Sequence, residues 1–290
     1  MRPTPTFQFR LFNFELCLLN FKFILVQAKK SLGQHFLTSD TIVEQIVTAA
    51  NLSGRETVLE VGPGKGILTE ALLARAQKVV AVEKDAELAE LLTSVKFATF
   101  IKSGKLNVVT GDILTLNPDD LGLVREPYKI VANIPYYITG QFLRKFLETQ
   151  HQPSSMVLML QKEVAERIVG RDGKESILSI AVKAYGEPHY VQTVEARNFS
   201  PSPKVDSAIL AVSTISRVFF ENDIATEKHF FELLRQGFAH KRKLLRNNLG
   251  LSADQLISCG IQPNARAERL TREEWKCLTG IQNSKGKIEK

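Results

Sequence analysis

The chain has little of what binds metals or spans membranes. Its three cysteines, Cys17, Cys259 and Cys277, share no Cys-x-x-Cys spacing. They offer neither a zinc motif nor a disulfide signal, and they suit a reducing compartment. The five histidines are scattered without ligand spacing, so no bound metal is expected. Long apolar runs are missing too. Phe7–Val26 is rich in Phe and Leu, yet Arg10, Glu15 and Lys22 interrupt it, which excludes a good transmembrane helix and fits a secretory signal poorly. No membrane partner is expected. No methionine lies between Met1 and Met156, and everything recognisable begins at Ala28. Residues 1–27 therefore read as an atypical extension, translated upstream of a non-Met start near Val26. An organelle presequence and an interfacial helix stand beside that reading, and the N-terminal mass of native protein separates them.

At 290 residues the chain is long enough for one large α/β domain and a smaller satellite. With 44% hydrophobic and 24% charged residues it reads as soluble and globular. The net charge of +7 favours an anionic partner, nucleic acid ahead of membrane, although charge of that size is also ordinary surface chemistry. Internal repeats are absent, and the only biased tract is the polar tail from Asn283.

Apolar residues at Ile42, Ile46, Val47 and Ala50 behind Ser39-Asp40-Thr41 predict a helix over 41–50. Short apolar runs predict strands at 57–61, 78–82, 107–110, 129–132 and 155–160, with closing strands at 191–194 and 207–213. Helices are predicted between them at 67–74, 86–100, 140–149, 162–169 and 176–184. This alternation predicts an α/β fold, a parallel sheet of about seven strands covered on both faces. After about residue 217 only helices are predicted, at 227–239, 241–248, 253–259 and 272–279. The expected division is an α/β domain over 28–216 and a small helical domain over 217–290.

Glu60-Val61-Gly62-Pro63-Gly64-Lys65-Gly66 follows the first strand of that sheet, beyond the carboxyl end where a doubly wound sheet holds ligands. Glycine suits a loop whose backbone must touch a ligand. Ile67 comes next, so the dinucleotide pattern Gly-x-Gly-x-x-Gly is not met, which disfavours a nicotinamide or flavin enzyme. A glycine loop alone is also how a plain tight turn is written. Two acids downstream change the weighting. Glu83 ends the second strand, where a carboxylate accepts hydrogen bonds from both ribose hydroxyls of an adenosyl ligand. Asp112 follows the third strand, placed to accept from the adenine amino group. Glu60, Gly62, Gly64, Gly66, Glu83 and Asp112 are the candidate nucleoside-binding residues.

The fourth strand ends in Asn133-Ile134-Pro135-Tyr136. An exocyclic adenine amine is a poor nucleophile, because its lone pair is delocalised into the ring. Attack on a methyl sulfonium needs that amine held and polarised. The Asn133 side-chain carbonyl and the backbone carbonyl of Ile134 or Pro135 would accept its two hydrogens, and Tyr136 would stack on the base. No strong general base is needed, since the methylated ammonium releases its proton to water. A β-turn with a buried tyrosine is the plainer reading of the same four residues.

Together with these loops, Gln34-His35-Phe36-Leu37, Asn198–Ser207 and Arg246-Asn247-Asn248-Leu249 give a pattern that resembles the ribosomal RNA adenine dimethyltransferase family, of the KsgA type, from about Lys29 to Gly280. The resemblance implies a seven-stranded, Rossmann-like methyltransferase sheet with a C-terminal helical domain, and S-adenosyl-L-methionine as cofactor. It puts Gln34, His35 and Leu37 at the cofactor with Gly62, Glu83, Asp112 and Asn133, and it sets Phe199 opposite Tyr136 around the target adenine. The substrate it implies is a pair of adjacent adenines near the 3′ end of 16S rRNA, in the small ribosomal subunit or its precursor. A monomeric, cytoplasmic protein is expected. His35 stands where the family often has Asn, Lys241-Arg242-Lys243-Leu244 replaces Arg-Arg-Lys-Thr, and Trp275 replaces Phe; none removes a group the chemistry needs.

Between Arg235 and Leu249 basic residues occur without an acid. Lys241, Arg242, Lys243 and Arg246, with Lys204 by the same resemblance, are the candidate RNA contacts, although such a run is also a common solvated face. Three other readings fit parts of the pattern. An erythromycin-resistance methyltransferase acting on large-subunit rRNA shares the loops but not the segments 161–167 and 246–249. A non-catalytic nucleic-acid-binding factor would keep the fold, and a nucleotide-dependent oxidoreductase is disfavoured by Ile67.

Overall fold

The computed structural model describes residues 27–93 and 96–286. The reading of Phe7–Val26 lies outside them. The first strand, β1 (Phe36–Leu37), precedes helix α1 (Asp40–Ala50), whose end is capped by the Ser39 hydroxyl accepting the Ile42 N–H at 3.4 Å. Then come β2 (Thr57–Val61), α2 (Ile67–Leu73), β3 (Lys78–Glu83), α3 (Ala86–Leu92), α4 (Ala98–Lys102), β4 (Leu106–Thr110), β5 (Tyr128–Asn133), α5 (Thr139–Glu148) and β6 (Ser155–Gln161). Helices α6 (Lys162–Val169) and α7 (Ile177–Tyr185) lead to β7 (Glu187–Val194), β8 (Phe199–Ser200) and β9 (Ser207–Ser213). Four helices close the chain: α8 (Ile224–Gly237), α9 (Leu245–Leu249), α10 (Ala253–Ile257) and α11 (Arg272–Gly286).

Seven strands form one sheet in the order β4-β3-β2-β5-β6-β9-β7. β2 runs parallel to β3 and β5, with Glu60 opposite Ala81 and Val131. The central strands are buried almost throughout, because a parallel strand covered on both faces has no solvent side to present. From β2 the chain steps outward to β3 and β4, then returns to β5 on the other flank. That reversal opens a crevice at the carboxyl ends of β2 and β5, the place where such sheets bind ligands. A separate ribbon pairs β1 with β8 antiparallel, which the sequence pattern did not predict.

Three expectations are corrected. The helix predicted over 86–100 is two, α3 and α4. On a continuous helix Phe97 would point about 180° away from Leu88, whereas the break lets Phe97 bury to 1% exposure. The helix predicted over 241–248 begins only at Leu245. Asn248 Nδ2 donates to the carbonyls of Gly237 at 2.6 Å and His240 at 3.2 Å, and Lys241–Lys243 form the turn between α8 and α9. Lastly, Cys259 and Cys277 are joined in a disulfide, Cα atoms 5.7 Å apart. Their separation of 18 residues is no motif; the packing of α10 on α11 brings them together.

The described chain divides into two compact units, one of residues up to Gln161 with Val191–Ile209, the other of Lys162–Tyr190 with the residues from Leu210 onward. The candidate cofactor and base residues lie in the first. In the second, the Glu227 carboxylate accepts from the Tyr185 hydroxyl at 2.5 Å and from Arg217 Nε at 2.8 Å, which satisfies a buried charge.

Candidate active site

The glycine loop between β2 and α2 is held from several sides. Gly62 N–H donates to Val82 O at 3.0 Å and Gly66 N–H to Pro63 O at 2.9 Å. Gly64 N–H donates to Glu83 Oε2 at 3.1 Å, and a Cβ on Gly64 would sit 3.0 Å from the Phe36 ring. Gly66 serves the fold. Its φ is +78°, and a Cβ there would lie 2.9 Å from both Leu92 Cδ2 and Phe97 Cε2. Gly66→Ala is expected to lower unfolding stability by about 2–4 kcal/mol, combining left-handed strain with overpacking, as read by urea denaturation.

Glu83 is 5% exposed. Its Oε1 accepts from Asp85 N–H at 2.9 Å, so each oxygen takes one backbone donor and keeps a lone pair. Burial pushes its carboxyl upward, and those two donors oppose the shift. Asp112 is engaged differently. Its Oδ2 meets Lys84 Nζ at 2.8 Å and its Oδ1 accepts from Leu114 N–H at 2.9 Å; the Lys84 contact holds its carboxyl below the usual range.

Residues 29–38 are tied down at both ends. Lys29 Nζ lies 2.7 Å from Asp85 Oδ1, and Gln34 Nε2 donates to Asp85 Oδ2 at 3.1 Å. His35 Nδ1 donates to Pro201 O at 2.7 Å, and β1 pairs Phe36 with Ser200 and Leu37 with Phe199. Asn133 Nδ2 donates to His35 O at 3.3 Å, which turns Oδ1, the opposite prong of the amide, away from that carbonyl. The Pro135 carbonyl accepts Ile138 N–H at 3.2 Å. Tyr136 hydrogen-bonds Ser207 Oγ through its hydroxyl at 2.7 Å, and its ring lies 6.1 Å from that of His35 with the planes 21° apart.

All the candidate cofactor and base residues except Gly66 and Phe199 line one pocket. Phe199 is 4% exposed and faces Leu37 across the ribbon instead. The five candidate RNA contacts are exposed, Lys204 in the first unit and the others in the second. Sequence reasoning missed Lys84, Asp85, Tyr137 and Ser207. Asp85 carried a signal, since it caps α3 through Glu87 N–H at 3.1 Å. Ser207 carried none, its partner being 71 residues away. Among the described residues no group of three or more His, Cys, Asp or Glu is placed to hold a metal ion.

Glu60 also lines the pocket, and it is 1% exposed. Neither of its carboxylate oxygens makes a well-formed hydrogen bond among the described residues, and the Thr69 hydroxyl is the one polar partner that eases its charge. Burial pushes its carboxyl up to about 8, with the Glu83 charge adding to the rise and Thr69 offsetting part of it. Between the ordinary value of 4.5 and about 8 the folded state therefore binds a proton that the unfolded chain has lost. The resulting stability is fully present below the lower value and declines through that window, by about 1.4 kcal/mol per pH unit. Glu60→Gln is expected to flatten this slope in urea unfolding curves taken across the window.

The family described as ribosomal RNA adenine dimethylase matches residues 25–282. The chain is 43% identical over 261 residues to ribosomal RNA small subunit methyltransferase A of Dehalococcoides mccartyi, covering 87% of this chain and 88% of that one. It is 37% identical to the protein of the same name from Nostoc sp., covering 89% and 98%. Among solved structures, a dimethyladenosine transferase from Plasmodium falciparum superposes with a TM-score of 0.73 at 27% identity, covering 87% of this chain and 98% of that one. The 23S rRNA methyltransferase ErmE gives 0.70 at 26% identity, covering 86% and 99%.

Proposed function

This chain belongs to the ribosomal RNA adenine dimethylase family, and on that footing we propose that it uses S-adenosyl-L-methionine to dimethylate two adjacent adenosines near the 3′ end of 16S rRNA. The chain is an rRNA adenine dimethyltransferase. Small-subunit rRNA is favoured over large-subunit rRNA because the curated relatives at 36–44% identity bear the small-subunit name, whereas the two superpositions are nearly equal.

The cofactor reading rests on fit. The pocket offers a bare glycine backbone, the Glu83 carboxylate with lone pairs to spare, and Glu60 without a well-formed hydrogen bond, which suits a ligand joining a ribose to a cation. S-adenosyl-L-methionine supplies an electrophilic methyl on sulfur. Glu83 receives the ribose hydroxyls. Asp112 would accept from the nucleoside amine, and Gln34, His35 and Leu37, which line the same pocket, would contact the cofactor. Asn133 carries the chemistry. With Nδ2 anchored on the His35 carbonyl, Oδ1 accepts one hydrogen of the target amine, and a backbone carbonyl of the Ile134-Pro135 pair accepts the other. Ile134 O is the freer acceptor of the two, since Pro135 O already accepts from Ile138 N–H. Both acceptors favour a pyramidal nitrogen with its lone pair aimed at the methyl. Tyr136 stacks on the base, its hydroxyl steadied by Ser207; Phe199, which the family resemblance sets opposite it, is buried and does not line the pocket.

The reading extends to the helical segment over 217–290, taken as the RNA-binding domain beside a catalytic domain over 28–216. Lys241, Arg242, Lys243 and Arg246 contact phosphates there, and Lys204 does so from the catalytic domain. Their exposure supports this, because phosphate oxygens are met by cationic side chains that reach out from the surface. The protein acts as a cytoplasmic monomer; no helix among the described residues is long and apolar enough to cross a membrane.

The single observation that carries the proposal is the Asn133 amide, held by the His35 carbonyl, in the lining of the pocket that Glu83 and Asp112 also line. Its test is transfer of labelled methyl to undermethylated small subunits, with large subunits alongside. Label in small-subunit RNA alone, recovered as N6,N6-dimethyladenosine, is the expected result. Label in large subunits would move the protein to the antibiotic-resistance branch, and none in either would make it a binding factor.

A further inference from the structure

Among the described residues one covalent cross-link joins elements of the helical segment, the Cys259–Cys277 disulfide. It is open to reagents in solvent, since Cys277 is exposed and Cys259 half-buried. In a reducing compartment an accessible pair of this kind is transient and redox-sensing rather than structural. What the bond fastens is weak by itself. α10 has five residues, too few for a helix to persist alone. Leu256 is its only buried residue, and the disulfide adds a second hold, from just past the end of α10 to α11. The loop that the bond closes contains Ala265, whose carbonyl accepts the Leu245 N–H at 2.9 Å. Leu245 opens α9, just after the turn at Lys241–Lys243, and is fully buried. α11 reaches the same turn through Trp275, two residues before Cys277. Its ring stacks on Phe238 with centroids 5.7 Å apart and packs on Gly237, where a Cβ would have no room. The Gly237 carbonyl in turn accepts from Asn248 Nδ2. Both ends of the cross-linked loop therefore lead to the seat of Lys241, Arg242, Lys243 and Arg246, all exposed.

We propose that Cys259 and Cys277 form a reversible thiol–disulfide switch on RNA binding: closed, the pair fixes the seat of the basic turn; open, it lets that seat loosen, and RNA is held less tightly. This rests on the reading of those four cations as phosphate contacts. Opening takes a dithiol reductant. One thiolate of the reductant attacks a sulfur of the pair, the S–S bond breaks, and the other cysteine leaves as a thiolate. The second thiol of the reductant then displaces the first cysteine from the mixed disulfide. The protein gains two electrons and two protons, and the reductant departs as its own disulfide. Exchange with an oxidised dithiol runs the same steps backwards and closes the pair. Closure limits the freedom of the loop, so the cations meet phosphates already placed, whereas the reduced protein must order them at the moment of binding. The cofactor pocket is built from residues of the first unit, and its affinity is not expected to follow the switch.

The experiment equilibrates the full-length protein with graded ratios of reduced to oxidised dithiothreitol. One aliquot is alkylated and mapped by peptide mass, and another is titrated with undermethylated small ribosomal subunits. Cys259 and Cys277 are expected to become alkylated together in the folded protein. Affinity for the subunits is expected to fall about tenfold as they do, with a shallower dependence on salt because the loss lies at the phosphates. Binding of S-adenosylhomocysteine is expected to stay level throughout. A variant carrying both Cys259→Ser and Cys277→Ser is expected to bind subunits as the reduced protein does and to ignore the ratio; should it fail to fold, the wild-type titration decides alone. Equal affinity in the two states, or a pair that exchanges only once the protein unfolds, overturns this inference and leaves the RNA reading standing. No binding of subunits in either state would mean that the RNA reading has failed, and this inference with it.

Discussion

Asn133→Ala is expected to reduce methyl transfer to small-subunit RNA by about 10²–10³-fold, the usual effect of removing one preorganised polar group at a developing charge. The loss belongs in kcat. The adenine amine gains positive charge only as the methyl arrives, so an acceptor on its hydrogens strengthens towards the transition state more than it helps binding. Single-turnover rates at saturating RNA, with S-adenosylhomocysteine affinity measured in parallel, check this. An equal loss in affinity and none in the rate would make Asn133 only a cofactor contact. Asn133→Asp separates the two functions of the amide. It keeps an acceptor but replaces the Nδ2 donor that binds His35 O at 3.3 Å, setting a carboxylate oxygen against a carbonyl oxygen. Its rate is expected to fall nearly as far as that of Asn133→Ala, because an acceptor that is not held in place does not preorganise the amine.

The fold was legible where burial dictates sequence. The strands at 57–61 and 207–213 coincide with β2 and β9, because a doubly covered strand is mostly apolar, with Glu60 the one charged exception in β2, and turns flank it. The helix at 162–169 coincides with α6 for the complementary reason, an apolar stripe at Ala165 and Ile168 against a charged face. Failure came where one distant residue decides a local conformation. Phe97 packs its ring against Gly66, where a side chain would leave no room, and no window around residue 97 contains that fact. The turn at Lys241–Lys243 is set by the Asn248 side chain. The Cys259–Cys277 disulfide needs two helices to pack before the sulfurs meet.

The candidate site divides the same way. Glu60, Glu83, Asp112 and Asn133 lie at or just beyond the carboxyl ends of consecutive parallel strands, a relation that sequence order preserves, so a reader of strands finds them together. Glu83 and Asp112 are held in part by backbone donors two residues on, whereas the groups that orient Asn133 and Tyr136 are non-local. His35 O reaches Asn133 from 98 residues away, and Ser207 Oγ reaches Tyr136 from 71. The β1–β8 ribbon that presents His35 is two residues per strand, too short for periodicity to register.

Glu83→Ala is expected to weaken S-adenosylhomocysteine binding at least a hundredfold. Two hydrogen bonds from ribose hydroxyls to an ionised acceptor contribute about 1.5–3 kcal/mol each, so their joint loss is about 3 kcal/mol or more. The buried amides of Gly64 and Asp85 lose their acceptor too; each orphaned donor costs about 1–3 kcal/mol unless water replaces the carboxylate, and the glycine loop loosens. Unfolding midpoints should therefore fall alongside affinity. The Lys84–Asp112 bridge is the internal standard for this argument. Its lysine is 50% exposed at the side chain, and an exposed ion pair contributes about 0–1 kcal/mol. Lys84→Met is thus expected to change stability within that range while the Glu83 variant changes both stability and binding well beyond it. Titrating S-adenosylhomocysteine into the two variants under one set of conditions decides the matter. Comparable losses in both would mean that the charge at the end of β3 acts through its neighbours and not through the ribose.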